Sequence, residues 1–131
     1  MQPPKKKGKG CLIAAIIVGS FVVLGGAAGG FWYYTSTQPM KRSDSVGSCD
    51  MRGGLGETQI CMDLTEINPR VEQICSSDEN YKLARGKGCD TKESLGGCAS
   101  PRTITWYYPS SEMKSADDVK KKCYGDAYVK P

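Results

Sequence analysis

Apolar residues fall along this chain in three regimes. Residues 11–34, CLIAAIIVGSFVVLGGAAGGFWYY, contain no charged position. At about 1.5 Å rise per residue a helix of that length covers about 36 Å, enough for a ~30 Å hydrocarbon core with some tilt, so this run predicts one transmembrane helix. Residues 35–48, TSTQPMKRSDSVGS, are small and polar around Pro39 and keep no apolar period; they read as a linker. From residue 49 onward periodicity returns in short stretches. Ile60, Leu64, Ile67, Val71 and Ile74 keep a step of three or four, which predicts helix over 57–76, split in two by Asn68-Pro69 acting as cap and first-turn proline. Residues 81–85 read as a strand ended by Gly86-Lys87-Gly88, and Gly96-Gly97 as a turn. The run TITWYYP, residues 103–109, is the strongest strand signal, with Ile104, Trp106 and Tyr108 on the core face and Thr103, Thr105 and Tyr107 on the other. Ser115-Ala116-Asp117-Asp118 then opens a last helix as a capping-box variant, its inner face carrying Ala116, Val119 and Cys123. The predicted fold is a single transmembrane helix plus a small disulfide-rich α+β extracytoplasmic domain.

Cysteine usage supports that division. Residues 49–131 are too few for a hydrophobic core alone to give more than marginal stability. They hold six cysteines: Cys49, Cys61, Cys75, Cys89, Cys98 and Cys123. An even count in an exported module of this size predicts three bridges. Cys61 and Cys75 lie beside the buried stripe, as structural thiols do, and the strand-then-helix return after residue 103 brings Cys123 back toward Cys98. The sequence leaves the remaining pairing open. Successive intervals of 12, 14, 14, 9 and 25 residues contain no C-x-x-C pair, and the chain has no histidine, so zinc spacing is not met and no metal is expected. The seventh cysteine, Cys11, follows no hydrophobic run and reads as an inert thiol at the inner membrane face.

Charge sets the expected topology. Lys5, Lys6, Lys7 and Lys9 precede the apolar run; without them 14 Lys and Arg remain against 14 Asp and Glu, so the net charge of +4 belongs to the basic segment 1–10 alone. Lysines beside a first span are retained on the cytoplasmic side, and they attract anionic lipid at about 1 kcal/mol each. The N-terminus is therefore expected inside an inner (cytoplasmic) membrane and residues 49–131 in the periplasm or outside the cell. Because the basic residues are segregated from a balanced module, nucleic acid is discounted as a partner.

Within residues 11–34, Ala15, Gly19, Gly26 and Gly30 share one helical face with Val22, and Gly25 and Gly29 repeat the small-xxx-small step beside it. Small residues let membrane helices pack backbone to backbone, and so many glycines make a poor lone helix, so a partner helix is expected from another subunit or a second copy. Phe31, Trp32, Tyr33 and Tyr34 form an aromatic belt where the outer interface would lie, which favours an uncleaved anchor. Two other fates compete. Gly26-Ala27-Ala28 offers small residues for signal-peptide processing. The basic stretch ending in Gly10 resembles a type IV prepilin leader, although Ala15 stands where those proteins carry glutamate.

A cysteine pair at 61 and 75, a G-x-G-C at 86–89, a G-G-C at 96–98, an aromatic strand ending Tyr107-Tyr108-Pro109 and a final helix ending at Cys123 resemble small cysteine-rich modules of uncharacterised bacterial exported proteins. The resemblance, over residues 49 to 128, implies an architecture and no activity. Catalysis is not expected: without histidine there is no Ser-His or Cys-His machinery, and Asp and Glu are scattered among equal numbers of Lys and Arg. No motif asks for a cofactor. Binding remains, and Tyr107, opposite Trp106 and Tyr108 in the strand alternation, is the candidate contact residue. The expected role is an accessory or assembly subunit of a larger envelope membrane complex. The alternatives are a pilin-like or surface filament subunit, and a secreted binding module.

Overall fold

The computed structural model describes residues 29–34, 37–54 and 58–131, in two compact units divided after Thr37. In the first unit, residues 29–34 are helical (α1), with Phe31, Trp32, Tyr33 and Tyr34 exposed; Thr37 Oγ1 donates to the carbonyls of Tyr33 and Tyr34. A Cβ added at Gly29 or Gly30 would meet nothing within 4 Å. No helix among the described residues is long and apolar enough to cross a membrane. Lys5, Lys6, Lys7, Lys9, Ala15, Gly19, Gly25 and Gly26, on which the topology and helix-packing expectations rest, lie outside the described residues.

The second unit, Gln38 to Pro131, is a small disulfide-rich α+β domain built on one antiparallel sheet. In chain order it comprises a 3₁₀ turn (Arg42–Asp44), β1 (Gly47–Asp50), β2 (Ile60–Leu64), α2 (Pro69–Cys75), β3 (Lys82–Arg85), β4 (Gly96–Ala99), β5 (Thr103–Tyr107), α3 (Ala116–Lys122) and β6 (Ala127–Val129). The strand order is β3-β1-β2-β5-β4-β6. The unit thus starts inside the stretch read as a linker. Met40 is buried in the core with its N–H on the Ser100 carbonyl, and residues 47 and 48 open β1.

Residues 60–64 are strand β2 rather than helix. The three-four step is also compatible with alternation, because Ile60, Met62 and Leu64 face one way and Cys61 and Asp63 the other, and pairing with β1 and β5 on both sides decides the outcome. The second half of that prediction stands: Asn68 Oδ1 accepts from the Val71 N–H at 3.0 Å and Pro69 occupies the first turn of α2. Gly96-Gly97 is likewise strand, not turn. At Gly97 a Cβ would lie 2.9 Å from the Trp106 ring, so the glycine is what lets β4 pair with β5 beneath the indole. Strands β1, β4 and β6 had no clear pattern in the sequence. Strand β5 alternates as expected, with Ile104, Trp106 and Tyr108 buried.

Register divides the sheet into two faces. One carries Cys49, Met62, Leu64, Leu83, Cys98, Thr105, Tyr107 and Tyr128 and is covered by the two helices. Helix α2 packs Val71 and Cys75 on Cys49 and Leu64; α3 packs Val119 and Cys123 on Cys98, with Met113 beside them. The other face carries Cys61, Asp63, Ala99, Ile104 and Trp106 and is covered by Met40 and by the irregular segment 87–92. Three disulfides tie sheet to cover: Cys49–Cys75 and Cys98–Cys123 on the helical face, and Cys61–Cys89 on the other.

Candidate functional site: a cationic pocket over the strap

Segment 87–92 crosses the sheet as a strap without secondary structure of its own, so each of its backbone polar groups needs a partner from elsewhere. Ser48 Oγ donates to the Lys87 carbonyl at 2.8 Å. The Cys89 N–H donates to Asp63 Oδ1 at 2.7 Å, and the Cys89 carbonyl accepts from Arg42 Nη2 at 2.7 Å. Arg42 Nη1 donates to Thr91 Oγ1 at 3.0 Å, and the Tyr108 hydroxyl donates to the Asp90 carbonyl.

At the base of this arrangement is Asp63, with 0% of its surface exposed. Its second oxygen, Oδ2, accepts from Trp106 Nε1 at 2.8 Å, so one carboxyl group joins the strap to the central tryptophan. Gly88 is needed there: a Cβ would stand 3.0 Å from Asp63 Oδ1. The Arg42 guanidinium lies over the Trp106 ring, 5.6 Å from its centroid.

Two cavities flank the strap. The larger, about 450 Å³, is lined by Arg42, Ser45, Lys87, Gly88, Cys89, Asp90 and Lys92. The smaller, about 200 Å³, lies toward β1 and β3 and includes Asp50, Arg52, Lys82 and Lys87 in its wall. Charge is neutralised differently in the two. In the smaller, Arg52 grips both oxygens of Asp50, at 2.9 and 2.6 Å, and stacks 4.3 Å from the Tyr108 centroid. Burial alone would raise the Asp50 carboxyl, but the hydrogen bonds from Arg52 and the charges of Arg52 and Lys82 outweigh it and hold the group below its ordinary value. The hydrogen bond to Asp50 in turn raises the Arg52 guanidinium, and burial raises the Tyr108 hydroxyl. In the larger cavity Arg42, Lys87 and Lys92 form no ion pair among the described residues, and Asp90 is the single carboxyl in its wall.

Tyr107, the contact residue expected from the sequence, sits on the face covered by α3. It is half-buried and packs, with Leu95 and Tyr128, on the cluster of Cys98, Met113, Val119 and Cys123. Burial and the nearby Asp126 raise its hydroxyl. The exposed aromatic of this unit is instead Tyr124, 91% exposed in the turn that leaves α3 at a positive φ of 44°. All six module cysteines are brought together in the pairs given above. Among the described residues no group of Cys, Asp or Glu is placed to hold a metal. Sequence reasoning missed the strap and its partners. One signal was available, a carboxyl within the otherwise apolar ICMDL of β2, because a charged residue at a core position has to be satisfied by something.

Comparison of the chain with known protein families, with characterised proteins and with solved structures gives no match in any of the three. The class is therefore defined by the fold itself: a three-disulfide α+β domain with one antiparallel six-stranded sheet.

Proposed function

We propose that the chain is a non-catalytic single-pass membrane protein whose disulfide-stapled domain works on the outer side of the membrane as an accessory or assembly subunit of an envelope complex. The observation that carries this reading is the complete pairing of the six domain cysteines, each bridge joining the sheet to the layer that covers it. Such bridges form and persist in oxidising compartments, which supports an exported domain. Residues 11–34 supply the apolar segment for that, with Lys5, Lys6, Lys7 and Lys9 holding the N-terminus in the cytoplasm. The small-residue face of Ala15, Gly19, Gly26 and Gly30 is the element through which a partner helix would dock. This agrees with the resemblance to cysteine-rich exported modules.

The intact mass of the protein extracted from its native membrane without reductant tests the anchor. A full-length mass lowered by six hydrogens, two per bridge, is expected. A chain beginning after Gly10 would replace the anchored subunit with a pilin-like one, and a chain beginning after Ala28 with a secreted module. The complex itself is tested by Gly26→Leu, which should abolish co-purification of partner subunits while leaving membrane insertion intact.

A further inference from the structure

The larger cavity beside the strap holds an excess of positive charge: Arg42, Lys87 and Lys92 stand against one carboxyl, Asp90. Arg42 is oriented by two neutral acceptors, the Cys89 carbonyl and Thr91 Oγ1, and by the face of Trp106. A guanidinium carries five N–H donors in a rigid fork, so these bonds fix its plane and leave its Nε–H and one N–H on each terminal nitrogen unused. Lys87 and Lys92 are exposed on the cavity wall and neither ammonium has an ion-pair partner among the described residues. Asp90, the one carboxyl there, uses Oδ1 to accept the Lys92 backbone N–H at 3.1 Å and so closes its own turn.

The adjacent smaller cavity is the internal control. It shares Lys87 and Asp90 with the larger one, but of its own two cations Arg52 is ion-paired with Asp50, whereas Arg42 and Lys92 on the other side have no ion pair among the described residues. Residual positive charge is therefore concentrated on the Arg42 side of the strap. One planar fork with two point-charge ammonium groups suits a tetrahedral oxyanion better than a planar carboxylate, because the fork takes two oxygens and the lysines address the others. A volume of about 450 Å³ holds more than an inorganic ion and is within the range of small-ligand sites.

We infer that this pocket binds a phosphate ester, the phosphate lying between Arg42, Lys87 and Lys92 and a small polar alcohol portion filling the rest of the cavity. The inference goes beyond the accessory-subunit reading and does not depend on it, since every residue involved belongs to the folded domain. The same chemistry is offered by a soluble polyol phosphate and by the headgroup of an anionic lipid.

Calorimetric titration of the full chain in zwitterionic detergent with glycerol 1-phosphate, at low salt and with acetate as control, tests it. Saturable 1:1 binding is expected, with acetate at least about tenfold weaker. Lys87→Gln with Lys92→Gln should weaken the phosphate ester about tenfold or more without moving the melting temperature, because neither ammonium carries a fold contact. Arg42→Lys keeps the charge and removes the fork, and should also weaken binding. Mixed micelles separate the two sources: phosphatidylglycerol, but not phosphatidylcholine, lowers the apparent affinity if a lipid headgroup occupies the pocket, and the two micelles give equal affinities if the ligand is a soluble ester. No saturable binding, acetate binding as tight as the ester, or undiminished binding in the double lysine variant would overturn the inference.

Discussion

The two faces of the sheet are covered by different means. On the helical face α2 and α3 satisfy their own backbones, so they add apolar side chains such as Val71, Val119 and Met113 and one disulfide each. On the strap face the cover has no internal hydrogen-bond ladder, and polar partners have to come from the sheet and its flanks: Ser48 for Lys87, Asp63 and, from the 3₁₀ turn, Arg42 for Cys89, and Tyr108, just past β5, for Asp90. An irregular segment can lie over a core only if its amides and carbonyls are answered one by one. The buried polar residues of this domain are therefore the consequence of using a strap, and the same requirement fixes Arg42 at the rim of a pocket.

This comparison can be broken most directly at the strap's covalent tie. Cys61→Ala with Cys89→Ala should cost about 2–5 kcal/mol of stability, as loss of a native bridge in a small domain does. Hydrogen exchange should show amides of residues 87–92 losing protection before those of α2 and α3; loss spread evenly over both faces would show that the covers are not independent. Next in size is Asp63→Ala, which leaves the Cys89 N–H and the Trp106 indole N–H buried without an acceptor and should cost about 3 kcal/mol in denaturant unfolding. Asp63→Asn keeps one carbonyl acceptor and should recover part of that loss. A cost for Asp63→Ala no larger than that of an exposed substitution would remove the polar account of the strap face.

The corresponding probe of the helical face is smaller. Ser115 Oγ accepts from the Asp118 N–H and Asp118 Oδ2 from the Ser115 N–H, a reciprocal cap at the start of α3. Ser115→Ala should cost about 1 kcal/mol with the strap amides unchanged. The smallest effect is in acid. Because the folded-state value of Asp50 lies below its ordinary 3.8, its contribution is present above that value and is lost as pH falls through the lowered one. Acid unfolding of Arg52→Gln should accordingly begin at higher pH than that of the parent. As Asp50 is partly exposed the shift should be small, and none at all would show the Arg52 pair to be fully screened.

Legibility in the sequence follows the same division. Helix α3 and the second half of the 57–76 prediction were readable because caps are local: Ser115 with Asp118, and Asn68 with Pro69, make their bonds within three residues. Strand β5 was readable from alternation, and Cys98–Cys123 from the return of a strand into a helix. What escaped is non-local. Strand β2 was mistaken for helix because the pairing that decides it comes from residues 47–50 and 103–107. Gly96-Gly97 looked like a turn until Trp106 was placed across it. The strap is held by Arg42, Ser48 and Asp63, between 26 and 49 residues away in sequence, and no local pattern could have gathered them.

The crossed order of the first two bridges bears on how the domain is made. Cys49 pairs with Cys75 and Cys61 with Cys89, so a domain that meets oxidant in chain order, from residue 49 onward, presents Cys49 and Cys61 to each other before either native partner is available. The register of the β1–β2 hairpin guards against that error. It sets Cys49 opposite Met62 and Asp50 opposite Cys61, which turns the two thiols to opposite sides of the sheet. A hairpin closed before oxidation thus keeps each sulfur facing the side from which its proper partner will arrive.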